Sequence, residues 1–225
     1  MKLNFEVEGA GPLAIDLATL VVAGWAGRDR AAIEHHIEEL EAIGVPRPST
    51  VPLFYRVSET LVTQDADVQM LGPDSSGEVE AFVFNAGGQM YVSIASDHTD
   101  RKAETVGVAL SKQLCAKPVA RKAWKLAEVL PHWDQLIIRS TIEENGKSVV
   151  YQEGALASLR RPEDLMAGFT GGAGTLPERA GMLCGTVGAI GGIRPAEVFT
   201  MELIDPVLQR RISHTYRVVQ LPVVA

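Results

Sequence analysis

The chain has 225 residues and a formal net charge of −7. An acidic total argues against a general nucleic-acid binder, which presents a basic face, but it still allows a local cluster of arginines around an anionic substrate. Two distant cysteines, Cys115 and Cys184, support neither a disulfide framework nor zinc-ligand spacing, and no stretch approaches the roughly 18 uncharged apolar residues of a membrane helix. A cytoplasmic protein is expected, because the N-terminal MKLNFEVEG carries Glu6 and Glu8 where a secretory signal would be apolar.

Residues 3–8 alternate apolar and polar side chains and predict a half-buried strand, and residues 18–24 a more buried one. Asp29 is placed to cap a helix running to about Ile43, with Ile33, Ile37, Leu40 and Ile43 at helical spacing and Gly44-Val45-Pro46 as its stop. Pro46, Pro48 and Pro52 make residues 45–53 an extended connector. From 54 to 96 the chain reads as strands, LFYRVS, ADVQML, GEVEAFVFN and QMYVSIAS, with a turn at Asn85-Ala-Gly-Gly.

Residues 101–116 predict a helix carrying Val106, Leu110 and Leu114 on one face, and a short helix follows around 120–130. Asn145-Gly146 is a hairpin signal between strands at 136–143 and 147–152. Pro162 opens a short helix over 163–167, and strands return at 180–186, 196–204 and 211–221. Many strands, few helices and no βαβ alternation give a β-rich α+β fold, expected as one domain over 1–225.

Three segments carry chemistry. In Ser76-Gly77-Glu78-Val79-Glu80, two carboxylates at i and i+2 of a strand share a face. Each raises the other's pKa, so a buried face needs a cation, whereas an exposed edge needs nothing. One strand later, Asp97-His98-Thr99-Asp100-Arg101-Lys102 is a polar run after an apolar strand. Asp97 can complete an all-oxygen shell with Glu78 and Glu80, which favours Mg²⁺, Mn²⁺ or Ca²⁺ over zinc. His98 would point to the opposite side of an extended segment from Asp97. In the predicted first helix, His36 and Glu39 are i, i+3 neighbours, as are His35 and Glu38 one residue out of phase. Such a pair is either a general acid/base or a solvated helix face. His132 and His214 read as structural, and Cys184 as packing.

Taken in order, these features resemble the fumarylacetoacetate hydrolase family. The resemblance rests on His36-Ile37-Glu38-Glu39, Phe54-Tyr55-Arg56, Glu78-Val79-Glu80 and Asp97-His98-Thr99-Asp100-Arg101. It continues through Ser111-Lys112 ahead of Cys115-Ala-Lys117-Pro118, then Asn145-Gly146 and Gly185-Thr186-Val187-Gly188. It covers roughly residues 20–205. It implies a mixed β-roll or sandwich with a few short helices, like the C-terminal domain of that family, and a homodimer.

By the same resemblance, Glu78, Glu80 and Asp97 would hold the metal, His36 and Glu39 would form an acid/base pair on a lid, and Lys112 would bind a substrate carboxylate or enolate. Arg56, Arg101, Gln152, Gly185 and Thr186 would bind substrate. The departures mark a divergent branch: Arg56 stands where relatives carry lysine, the loop around Lys112 is short, Asn85-Ala-Gly-Gly is unlike the common version, and Asp100 adds a charge.

The activity implied is divalent-metal-dependent hydrolysis of a C–C bond in a small 2,4-dioxo acid. Decarboxylation, dehydration or isomerisation of related 2-oxo acids on the same site is the alternative. A non-catalytic metal-stabilised binding protein and a metal-independent hydrolase using Cys184 or a serine are the rivals.

Overall fold

The computed structural model describes residues 1–42 and 47–224, and within the first helix the side chains of His36, Glu39, Leu40 and Ala42 are outside the described set. The expected helix stop at 43–46 is therefore outside the described residues, as are the side chains of the His36–Glu39 pair.

Two sheets dominate. The larger has eight strands in the order Gly11–Asp16, Lys2–Val7, Lys122–Lys125, Gln89–Ser96, Val79–Ala86, Ala180–Leu183, Thr19–Gly24, Leu53–Val57. The second has five, in the order Lys147–Ala155, Ile137–Glu144, Val198–Asp205, Arg210–Leu221, Asp67–Leu71. Strand alternation assigns side chains to two cores. Val21, Val79, Ala81, Val83, Val92 and Ile94 pack against Ile138, Met201, Leu203 and Ile212 of the smaller sheet.

On the other face of the large sheet, Leu3, Phe5 and Ile15 from one end meet Val22 and Val57 from the other, around Phe82 and Phe84. Residues from opposite ends of a strand order can share one cluster only if the sheet rolls up. Phe84 anchors the roll, stacked on Phe5 at 4.3 Å between ring centroids and on Tyr91 at 5.4 Å. Because both faces are covered, every residue of Val79–Ala86 is buried, Glu80 included. The result is the β-rich fold that the strand pattern predicts, in the mixed roll and sandwich form that the resemblance implies.

Local chemistry sets the turns. Asn145 and Gly146 take φ of 52° and 72°, the left-handed pair a two-residue hairpin requires. Asp29 caps the helix Arg30–Ala42, its Oδ1 accepting from the amides of Ala31 at 2.9 Å and Ala32 at 3.1 Å.

Two expectations fail. Residues 101–116 form two short helices, Arg101–Glu104 and Val108–Gln113, on either side of a break ending at Gly107. Val106, Leu110 and Leu114 are 75%, 47% and 47% exposed, and the second helix buries its polar residues Ser111 and Lys112 instead. A partner for the lysine, described below, outweighs the apolar pattern. The helix expected around 120–130 is a strand, Lys122–Lys125, leading into one helical turn, Leu126–Val129. This strand pairs with Lys2–Val7 on one side and Gln89–Ser96 on the other, and ladder bonds on both edges override helix propensity.

Candidate metal centre

The centre is built by a hairpin. Gly87 and Gly88 turn Val79–Ala86 back onto Gln89–Ser96, and the register pairs Val79 with Ser96 and Glu80 with Ala95. Continuing that ladder places Glu78 opposite Asp97, whose amide donates to the Glu78 carbonyl at 2.9 Å. Period-two alternation turns Glu80 to the same side as Glu78. One carboxylate oxygen each from Glu78, Glu80 and Asp97 then lie within 4.8 Å of one another. Glu80 and Asp97 are buried, and Glu78 is partly so.

Gly77, just before the pair, has no room for a side chain: a Cβ there would lie 2.6 Å from the Phe199 ring and 2.7 Å from the Tyr216 hydroxyl. At the far side Gly185 donates its amide to Glu80 Oε2 at 2.7 Å. It does so at φ +91°, with an added Cβ only 2.6 Å from Ala26 Cβ, so glycine is required there.

Cations are unevenly shared among the three acids. Asp97 Oδ2 accepts a short hydrogen bond from Lys112, and Lys117 Nζ lies 3.1 Å from Oδ1. Burial alone would raise the Asp97 pKa, but the two ammonium groups outweigh it and hold the carboxyl at about 2. Glu78 pairs with Arg101 at 3.0 Å, and Lys112 is 3.9 Å from its other oxygen. Glu80 has no ion pair at contact distance among the described residues. Burial, then Asp97 and Glu78, push its pKa well above the usual carboxylate range.

A divalent cation fits this donor set. Three carboxylate oxygens of suitable spacing converge, no imidazole or thiolate joins them among the described residues, and Glu80 is a buried acid with the Gly185 amide but no described cation in contact with it. Glu78, Glu80 and Asp97 are the residues that would hold it.

The other expected site residues divide. Lys112 is in the cluster, bound to Asp97, with its Nζ 5.8 Å from the centroid of the Tyr55 ring. Arg101 is also there but is committed to Glu78, Glu104 and the Ser76 hydroxyl. Gln152 is buried and fully used. Its Oε1 accepts from the Val79 amide and the Ser140 hydroxyl, and its Nε2 donates to Thr186 Oγ1 and the Val187 carbonyl. The Thr186 hydroxyl in turn donates to the Val79 carbonyl at 2.7 Å. Gln152, Gly185 and Thr186 therefore tie the 185–187 loop to the carboxylate strand rather than presenting free donors.

The structure does not bring Arg56 into the cluster. It is exposed and alternates to the opposite face of Leu53–Val57 from Tyr55. His98 turns away from the acids, as expected, and bridges Ser75 and Tyr216 at 2.9 Å each. Burial first, then Lys117 and Arg101, hold its pKa down at about 3, so the ring is neutral. His132 is held by Asp205 at 3.0 Å.

Two residues at the centre escape sequence reasoning. Lys117, in the short strand Lys117–Pro118 beside Val62–Thr63, flanks Asp97 opposite Lys112. Its position directly before Pro118 is the only sequence signal. Tyr55 appears in the sequence only as the spacer between Phe54 and Arg56.

The model of a family described as "Protein of unknown function (DUF2848)" matches residues 23–216. The chain belongs to the DUF2848 family. Comparison with curated proteins finds no match.

Among solved structures, this DUF2848 chain is similar to a protein from Oleispira antarctica provisionally assigned as a fumarylacetoacetate isomerase/hydrolase. The TM-score is 0.66 at 15% identity, covering 96% of this chain and 99% of that one. A Burkholderia cenocepacia protein provisionally assigned as a fumarylpyruvate hydrolase gives 0.63 at 16%, covering 98% and 95%. A 2-keto-3-deoxyarabinonate dehydratase gives 0.62 at 13%, covering 94% and 78%. The fold is that of the fumarylacetoacetate hydrolase proteins, at identities of 13–16%, and the chain matches a family model of its own.

Proposed function

We propose that the protein is a divalent-metal-dependent enzyme acting on a small 2-oxo carboxylic acid, with C–C bond hydrolysis of a 2,4-dioxo acid as the leading reaction. The observation that carries this reading is the convergence of Glu78, Glu80 and Asp97 within 4.8 Å, with Glu80 buried and lacking a cationic contact among the described residues.

A bound Mg²⁺, Mn²⁺ or Ca²⁺ would supply Lewis-acid charge to the 2-oxo acid. The Gly185 amide orients Glu80. Lys112 and Lys117 keep Asp97 ionised, which preserves it as an oxygen ligand at any working pH. The Lys112 ammonium, at the edge of the three acids, would stabilise the negative charge that develops on the substrate. In the hydrolytic reading His36, assisted by Glu39, takes a proton from water, a role worth about 10²–10⁴-fold in rate. The water oxygen adds to the distal carbonyl, the adjacent C–C bond breaks, and its electron pair remains on the pyruvate fragment, which is then protonated.

The test is a panel of acylpyruvates, oxaloacetate and sugar-derived 2-oxo acids with Mg²⁺ and with Mn²⁺, products identified by mass. Turnover is expected with metal and is lost in excess chelator and in Glu80→Ala. Full activity in either would remove the metal from the chemistry. His36→Ala is expected to lower kcat far more than His35→Ala, and equal effects would deny the acid/base role.

The solved relative that is a dehydratase supports a second reading, dehydration on the same carboxylates, and product identity separates the two. The thiol alternative has little support: Cys184 is buried, and burial together with Glu80 pushes its pKa up, away from a reactive thiolate.

A further inference from the structure

Lys112 occupies an unusual place. It is the one basic residue of Val108–Gln113, and its ammonium reaches Asp97 Oδ2 and lies 3.9 Å from Glu78 Oε2. Those are two of the three acids that would hold a divalent ion. Oxygen ligands of Mg²⁺ or Ca²⁺ sit about 2.0–2.6 Å from the ion, and an ammonium hydrogen-bonded to the same carboxylate contends for the same lone pairs and the same charge.

We propose that Lys112 competes with the divalent cation for Asp97, so that metal loading releases the ammonium toward an anionic substrate. The inference rests on the metal reading above and adds the coupling between the two cations. Lys112 is the cation that can yield. Lys117 lies in a strand paired with Val62–Thr63 and also donates to the His98 carbonyl, whereas the helix bearing Lys112 buries only Ser111 and Lys112. Leu110 and the flanking Val106 and Leu114 face solvent, so little apolar burial resists a shift of this turn once Lys112 leaves Asp97.

The test compares Mn²⁺ affinity in wild type, Lys112→Met and Glu80→Ala by calorimetry and by the electron paramagnetic resonance of free Mn²⁺. Lys112→Met is expected to bind Mn²⁺ roughly ten- to a hundredfold more tightly, the size of one charge-assisted hydrogen bond. Glu80→Ala is expected to bind none. Equal or weaker affinity in folded Lys112→Met overturns the competition alone. No Mn²⁺ binding in either wild type or Lys112→Met, each folded by circular dichroism, overturns the metal reading with it.

A second measurement needs no variant. Acetylation of Lys112 by an amine-directed reagent, read by peptide mass, is expected to rise several-fold when Mn²⁺ is added to wild type, with Lys117 unchanged. Labelling of Lys112 that is indifferent to Mn²⁺ overturns the proposal.

Discussion

The amide of Asp97 donates to the carbonyl of Glu78 at 2.9 Å, one step beyond the last ladder pair of the hairpin Val79–Ala86 and Gln89–Ser96. That backbone bond fixes the spacing of the acids before any side chain is considered. It also explains why Asp97 is fully buried beside two glutamates: register carries it there, and Lys112 and Lys117 make the burial tolerable.

Glu80→Gln keeps the shape of the side chain and its bond to the Gly185 amide while removing a charge that Asp97 and Glu78 oppose. The variant is expected to lose Mn²⁺ binding and at least 10²-fold in turnover, the scale of a lost electrostatic group at a reacting centre. In chelator it is expected to be as stable as wild type or more so, because a desolvated like charge has gone. Urea unfolding of both proteins checks this, and a clearly destabilised Glu80→Gln would contradict the assigned electrostatics.

Stability should depend on pH in a metal-sensitive way. The folded-state pKa of Glu80 is raised, so its contribution is present below the ordinary glutamate pKa and is lost as pH rises through the folded value. Chelator-treated protein is therefore expected to lose melting temperature from Glu80 as pH rises above that range, and added Mg²⁺ to restore it. The gap between the two melting curves should widen from acid to neutral pH in wild type and vanish in Glu80→Gln.

Gln152→Leu removes four hydrogen bonds and strands the Val79 amide and the Val187 carbonyl. A loss of about 2–3 kcal/mol of stability is expected, from buried groups left without partners. Because Gln152 positions the 185–187 loop, the loss of kcat and of Mn²⁺ affinity should exceed any rise in KM. A change confined to KM would return Gln152 to direct substrate binding.

Asp205 is a structural counterpart. Burial would raise its pKa, but the Leu208 amide, His132 and Arg210 bring it below the ordinary aspartate value. The contribution of such a depressed acid is present above the unfolded pKa and is lost as pH falls through the folded one. Asp205→Asn is expected to lower the melting temperature at neutral pH, with the difference from wild type closing as acid protonates Asp205. Metal affinity measured by calorimetry should not change.

The sequence by itself determined much of this protein. Strand alternation alone predicts that Glu78 and Glu80 share a face, the glycines before Gln89 predict the return, and the polar run at Asp97 marks where the neighbouring strand ends. Asn145-Gly146 and Asp29 likewise announce their turn and cap, because each acts through its own backbone within a few residues.

Only the tertiary structure decided which side chains complete the centre. Gln152 reaches Val79 across 73 positions and Gly185 reaches Glu80 across 105, contacts set by the order of strands in the sheets and not by any local period. The same holds for the inverted helix of Lys112. Its apolar residues read as an inward face, yet a buried aspartate's demand for counter-charge turned the lysine inward, and a long-range electrostatic requirement of that kind leaves no mark in the spacing of nearby residues.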